Sequence, residues 1–463
     1  MEIVFIAMPS ELIGGSGVRV LKVLPHLKSL LEEKGVNWHL YIPCFSTILL
    51  GLSSYISEGV YDGEAILRHI ERSAEKHSLA KHIPADLLSA LDDSLNRVAP
   101  ELINRLYRSR AKKIHRLAFL LRRDKAVREA ESKCVEAFLK SADCPRGEAI
   151  IHSMHEFYEA VYASMKLTEA LEGRGSILLQ IEPFNKLSAV IQNASNLGFM
   201  RSLRSLVLGM KTRDLYLRYL RSGRLRLILS VSAAPLMNSG IDEHARKFGV
   251  NVTILRPGNA VDPSVLKYRC LEKEPYAVFW ARLCKEKGIF DLLRAWKIIT
   301  GEIPEVRIIV AGRFVDDRTK EEFFKTVKSL EIRNLTFLGY VKDKEELYRK
   351  VSKAKVLIYP SYSDAFPLVV LEALALGINV VAYDIPAITS VYGRLPAVKI
   401  VKRGDVHSLA LEALRVLRLS REEYTSIQES EALKSFLRLH TSWRKVAESE
   451  LNAILSISST RGG

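Results

Sequence analysis

Residues 356–377 read VLIYPSYSDAFPLVVLEALALG. The run from Val356 to Pro360 has the β-branched and aromatic composition of a buried strand. Pro367 suits a first helical turn, and the apolar run after it carries a helix to Gly377, a good C-terminal stop. The stretch therefore reads strand, loop, helix. In an open parallel sheet, ligands bind beyond the carboxyl ends of the strands, where such loops gather. Asp364 stands in the loop and Glu372 eight residues later, inside the helix. A carboxylate in an apolar helix is costly to bury without partners. A sugar offers partners, because two neighbouring hydroxyls can donate to one carboxylate. The spacing also fits a blander reading, with Glu372 a solvated helix residue and Asp364 a turn former.

The neighbouring segments repeat the pattern. From Tyr276 the chain alternates YAVFWAR, IFDLLRAWKII, VRIIVAG, LTFLGYV and EELYRKVSKA, ending in the stretch above. Strands alternating with helices imply a parallel sheet covered on both faces. Arg282 and Lys287 lie just past the first of these strands, and two cations five apart before a helix suit a diphosphate. An earlier series opens the chain. Ile3–Met8 reads as a strand, PSELIGGSG as a glycine-rich turn, and VRVLKVLPHLKSLLEEKG as a helix carrying Pro25. Gly14, Gly15 and Gly17 would let backbone N–H groups approach a ligand, although a tight turn alone would also explain them. Alternation pauses from Gly51 to Asp143, which reads as helical throughout, and resumes at Ala149. His152 closes the next strand, and Glu182 closes the one after it, so both are candidates for the acceptor side.

At 463 residues the chain is too long for one ordinary core. Its 48% apolar and 26% charged composition is that of a folded protein without a membrane span. MEIVFIAMPSE carries an acid at position 2 and only a short apolar run, so neither a signal peptide nor a span is expected there. The five cysteines are odd in number and lack a CxxC pair, so neither a disulfide framework nor a zinc site is expected, and a reducing cytoplasm fits. The net charge of +16 is local. Arg105–Arg128 holds ten basic residues and one acid, and Lys186–Arg226 holds nine and one. Such patches meet something anionic. They lack the aromatic interleaving of single-strand binders, and no helix-turn-helix or zinc pattern accompanies them, so no nucleic-acid partner is expected. Within the helical stretch from Gly51 to Asp143, Ile103, Leu106, Ile114, Leu117 and Leu121 share a helical face with a basic back. That suits a core-facing helix and a helix lying on a membrane surface equally.

The run DAFPLVVLEALALGINVVAYDIPAITSVYG resembles the acid-x7-acid signature of the retaining glycosyltransferases of family 4 (group 1), which have the GT-B fold. Asp364 stands for the usual Glu, Pro367 for a Gly and Asn379 for a Pro. ARLCKEKGIFDLL resembles the family's Gly-Arg-Leu and Glu-Lys-Gly motif, with Ala281 for the first Gly. Pro257–Asp262 resembles a scrambled form of the segment by which family members leave their first domain, and HTSWRKVAESELNAIL resembles their closing helix. The resemblance covers Leu255–Leu455 well, the first fifty residues moderately, and 51–145 not at all.

The resemblance implies an α/β protein of GT-B type: two Rossmann-like parallel-sheet domains facing a central cleft, with a helical insertion in the first. It implies a first domain of 1–262 with the insertion at about 51–145, closed by a C-terminal helix at about 440–463, and a nucleotide-sugar domain of 263–439. It implies a retaining transfer of a sugar from a nucleotide-diphosphate donor to an acceptor hydroxyl. Arg282, Lys287 and Asp364 would act in catalysis, and Glu372 would fix the ribose. Ala365, Phe366, Pro367, Leu368 and the glycines at 14, 15 and 17 would line the donor. No cofactor or metal is expected, since the two cations can neutralise the leaving group. The family's usual acceptor-side His has no counterpart at its second position, where Gln180 and Glu182 stand. Basic residues near an anionic leaflet contribute about 1 kcal/mol each, so a lipid-linked glycan acceptor and peripheral attachment to the cytoplasmic membrane face are expected. The alternatives are a soluble acceptor, a basic nucleic-acid-binding protein, or a non-catalytic binder of nucleotide sugars.

Overall fold

The computed structural model describes residues 2–7, 15–43, 128, 131–184 and 199–458. The described residues build two parallel sheets of six strands each. The first contains β1 (Glu2–Ile6), β2 (Asn37–Tyr41), β3 (Ala149–Ser153), β4 (Arg174–Leu179), β5 (Leu225–Ser230) and β6 (Asn251–Ile254), in the order β2-β1-β3-β4-β5-β6. The second contains β7 (Glu274–Trp280), β8 (Arg307–Ala311), β9 (Leu335–Gly339), β10 (Ala354–Tyr359), β11 (Asn379–Tyr383) and β12 (Val398–Val401), in the order β12-β11-β10-β7-β8-β9. All neighbours pair parallel. These are the two common doubly wound orders. The α/β class with two Rossmann-like sheets is therefore as the sequence indicates.

The chain divides into two compact units: Met1–Val231 with Pro235–Gly258 and Val446–Gly463, and Ser232–Ala234 with Asn259–Lys445. Strands buried on both faces need continuous apolar sequence. NVVAY in β11 is buried at every position, and AKVLIY in β10 at all but Lys355. Ala277, Phe279, Ile308, Val310, Val356, Ile358 and Val381 form one face of the second unit's core, against the helices Ile289–Glu302 and Val406–Arg418.

The expected helical insertion falls mostly outside the described residues; within it, residues 131–140 are helical. Cys134 is disulfide-bonded, whereas Cys144, Cys270 and Cys284 are free thiols. The bond at Cys134 counts against the reducing surroundings expected from the odd, CxxC-free set of cysteines. An odd count excludes only complete pairing, so it is blind to a single bridge and is no argument for a reducing compartment.

Candidate active site

The second sheet reverses its order between β7 and β10, the two strands whose carboxyl ends carry the acid and the cations. This switch point is where a doubly wound sheet opens a crevice. After Trp280 the chain passes through Arg282 to a short 3-10 turn, Lys285–Lys287, and Gly288 starts the helix Ile289–Glu302. Gly288 has φ +71°, and a Cβ there would lie 1.9 Å from the Pro360 carbonyl oxygen. Only glycine lets the Lys287 turn approach the end of β10 this closely. The Tyr362 N–H donates to the Glu286 carbonyl at 2.8 Å, which ties the two loops together.

In consequence Lys287 meets Asp364. Lys287 Nζ lies 2.5 Å from Asp364 Oδ2 and 3.1 Å from the Ser363 carbonyl oxygen. Both side chains are partly open, at 14% and 18% exposure. The Tyr359 hydroxyl donates to the same Oδ2 at 2.7 Å, and the Phe366 N–H donates to Oδ1 at 3.2 Å. Pro367 is the N-cap, with φ −72° and ψ 93°, and the helix begins at Leu368. This corrects the placement of Pro367 in the first turn. Ala365 and Phe366 are buried, and the amide of Phe366 is taken by the acid of its own loop.

Glu372 is 6% exposed on the helix Leu368–Ala375 and has its own partners. Trp280 Nε1 donates to its Oε2 at 2.9 Å, and Lys344 Nζ to its Oε1 at 2.8 Å. Burial first, and the Glu372 charge second, raise the Tyr348 phenol. A solvated Glu372 is thereby excluded: the carboxylate is buried and held at both oxygens. Arg282 is exposed and lines a neighbouring pocket of about 770 Å³ at the carboxyl ends of β7, β8 and β9. Arg313, Asp316, Lys320 and Tyr340 line it as well. Trp280, Tyr359, Lys344 and Arg313 escape a reading of the sequence; the available signal for Tyr359 and Arg313 is their place at strand ends.

The remaining candidates belong to the other unit. Gly14 lies outside the described residues, Gly15 opens the helix Gly15–Glu33, and Gly17 is buried in that helix's first turn. Glu182 is half-buried in the loop after β4. His152 is fully buried, with Nδ1 2.6 Å from Ser176 Oγ and Nε2 3.1 Å from Glu450 Oε1. Arg19 Nη2 lies 2.7 Å from Glu450 Oε2. Burial would push the Glu450 carboxyl up, but the Arg19 charge and the His152 bond outweigh it and hold it at about 2. The structure thus commits both His152 nitrogens to the interior of its own unit. Beyond β3, burial pushes Glu156 up to about 7 and His155 down to about 3.

Two doubly wound parallel sheets, with a cation–acid pair at the switch point of the second, are the architecture of the GT-B fold. Residues 267–432 match the family model described as Glycosyl transferases group 1. It is 31% identical over 126 residues to the poly(glycerol-phosphate) alpha-glucosyltransferase of Bacillus subtilis strain 168, covering 27% of this chain and 17% of that protein. The chain spans well under half the length of the curated relatives it matches. Two solved structures resemble it over nearly the whole of both chains. They are a UDP-forming alpha,alpha-trehalose-phosphate synthase from Burkholderia xenovorans, with TM-score 0.59, 13% identity and 99% of each chain covered, and Anabaena Alr3699/HepE in complex with UDP and glucose, with TM-score 0.58, 11% identity and 98% and 100% covered. Among the described residues, no helix is long and apolar enough to cross a membrane.

Proposed function

We propose that the chain is a retaining glycosyltransferase that moves a sugar from a nucleotide-diphosphate donor to the hydroxyl of a lipid-linked glycan at an anionic membrane face. The observation that carries the donor half is the meeting of Lys287 and Asp364 at the switch point, with Arg282 on the adjoining pocket. Departure of a nucleoside diphosphate develops negative charge on its leaving oxygen. Lys287 and Arg282 stabilise that charge more in the transition state than in the ground state. Asp364 holds the sugar hydroxyls and sets their orientation, and Glu372 fixes the ribose. With these cations the transfer proceeds without a metal, and activity survives prolonged EDTA treatment; strict restoration by Mg²⁺ or Mn²⁺ would contradict this.

The acceptor half rests on the charge of +16. A second reading is an acceptor that is itself polyanionic. The relative whose name contains poly(glycerol-phosphate) favours it. The deciding experiment is thermal-shift screening against UDP- and GDP-sugars, followed by turnover with the donors that bind. Binding to the folded state raises stability by RT ln(1 + [L]/Kd). No shift and no turnover with any nucleotide sugar would sink the reading. A shift without turnover would leave a non-catalytic binder.

A further inference from the structure

Asp364 has two different kinds of partner on one oxygen. Lys287 is an ammonium on a flexible stem, partly open to solvent, with rotatable donors already divided between Asp364 Oδ2 and the Ser363 carbonyl oxygen. Tyr359 is 1% exposed at the end of a central strand, and its ring is fixed by packing. Its hydroxyl lies 2.7 Å from Oδ2 and 3.4 Å from Lys287 Nζ, and the ammonium sits 5.9 Å from its ring centroid. Burial first, and the Asp364 charge second, raise the phenol far above its ordinary range, so it donates as a neutral group. The two partners respond differently to an anion. A diphosphate within reach competes with Asp364 for Lys287, and the flexible ammonium can turn to it. The phenol cannot leave. Without the phenol, a carboxylate that loses Lys287 would keep only the Phe366 N–H on Oδ1, and Oδ2 would be released at the moment it is needed.

We infer that Tyr359 is a positioning residue: it keeps the Asp364 carboxylate aimed at the donor sugar while Lys287 exchanges from Asp364 to the donor phosphates. This rests on the donor-site reading proposed above. A shorter acid than the family's Glu makes a fixed partner more useful, because Asp364 has less reach to recover its aim.

The test compares binding of UDP-glucose with UDP, and GDP-mannose with GDP, by calorimetry, using whichever pair the wild type binds. Tyr359→Phe keeps the ring and removes one hydroxyl. Lys287 remains on the carboxylate, so no buried charge is left unpaired. The expected result is about a tenfold loss of sugar-nucleotide affinity relative to the free nucleotide, the scale of one hydrogen bond to a charged group, with kcat falling in step. Free-nucleotide affinity stays within about twofold. Tyr362→Phe is the control, since its hydroxyl donates at 2.5 Å to Asp291 in the same loop region. It lowers Tm without moving the ratio. In an Asp364→Asn background, Tyr359→Phe has no further effect on the ratio, which separates aim from folding. An unchanged ratio and kcat in Tyr359→Phe, with a wild type that turns the donor over, overturns the inference and leaves the function standing. A wild type that binds no sugar nucleotide overturns both.

Discussion

Lys287 and Asp364 pair at the switch point of the second sheet, Glu372 is buried on the helix that follows, and Arg282 lines the neighbouring pocket. Glu372 is buried with an indole N–H and an ammonium on its oxygens, so its charge is already compensated before any ligand arrives. Glu372→Gln keeps the helix but loses an acceptor. Donor affinity should fall by about 1–3 kcal/mol, the range for a hydrogen bond to a charged group in a buried site. Calorimetry with the preferred nucleotide sugar measures it, and unchanged affinity in a folded variant removes Glu372 from the site. Lys287→Ala and Arg282→Ala should lower kcat and kcat/KM together, because the charge they meet grows during reaction. An effect confined to KM would mean ground-state binding only. At this scale the sequence is legible where chemistry is local. Asp364, Lys287 and Glu372 stand out by their position after strands and in a helix. Trp280 and Lys344 do not, because their relation to Glu372 exists only once β7, β10 and the helix Lys344–Val351 are assembled.

Elements that look alike in sequence differ in what they bury. The strand–loop–helix after β10 leaves Asp364 partly exposed in its loop, whereas the corresponding region after β3 closes on itself. There Glu156 Oε2 accepts from the Gln180 N–H at 3.0 Å, and its backbone carbonyl accepts from Tyr216 at 3.2 Å. Burial, the largest cause, raises the carboxyl from 4.5 to about 7 against the lowering effect of backbone N–H groups of Gln180, Glu156 and Ile181; the Glu182 charge raises it further. A folded-state pKa above the unfolded value means stability that is complete below about pH 4.5 and lost as pH rises through 7. A shift of that size corresponds to about 3 kcal/mol. Glu156→Gln should therefore unfold at a higher temperature than wild type at pH 8, with the advantage shrinking toward pH 5. Tm measured across that range checks it, and a constant offset would show that Glu156 does not titrate there. The candidacy of His152 illustrates the limit of position alone. A histidine at a strand's carboxyl end reads as a ligand-facing group until the chain's last helix, Trp443–Ser456, brings Glu450 to it from 298 residues away.

For the whole molecule the open question is what the basic charge meets. Arg105–Arg128 lies outside the described residues except for Arg128, so convergence of the two basic stretches on one face remains a proposal about sequence. The second stretch is partly described. The helix Phe199–Arg221 buries Leu215, Tyr216, Tyr219 and Leu220 and exposes Arg213, Arg218 and Arg221. It packs its apolar face on its own unit, and Arg218 pairs with Asp214, which reduces the free charge on that face. Docking on anionic lipid must then draw on the first stretch as well. Attraction of this kind weakens steeply with salt, since the Debye length falls from about 10 Å at 0.1 M to about 3 Å at 1 M. Co-sedimentation with liposomes of rising anionic content should show binding at low salt that is lost at high salt. Replacing Arg108, Lys112, Lys113 and Arg116 by Gln should reduce binding and leave hydrolysis of the donor intact, because none of the four is a donor-site candidate. A polyanionic acceptor predicts something different: the same Gln variant would bind neutral and anionic liposomes alike but lose KM for the acceptor. Wild-type protein that ignores anionic liposomes at low salt would exclude the membrane and make that acceptor the better account of the charge.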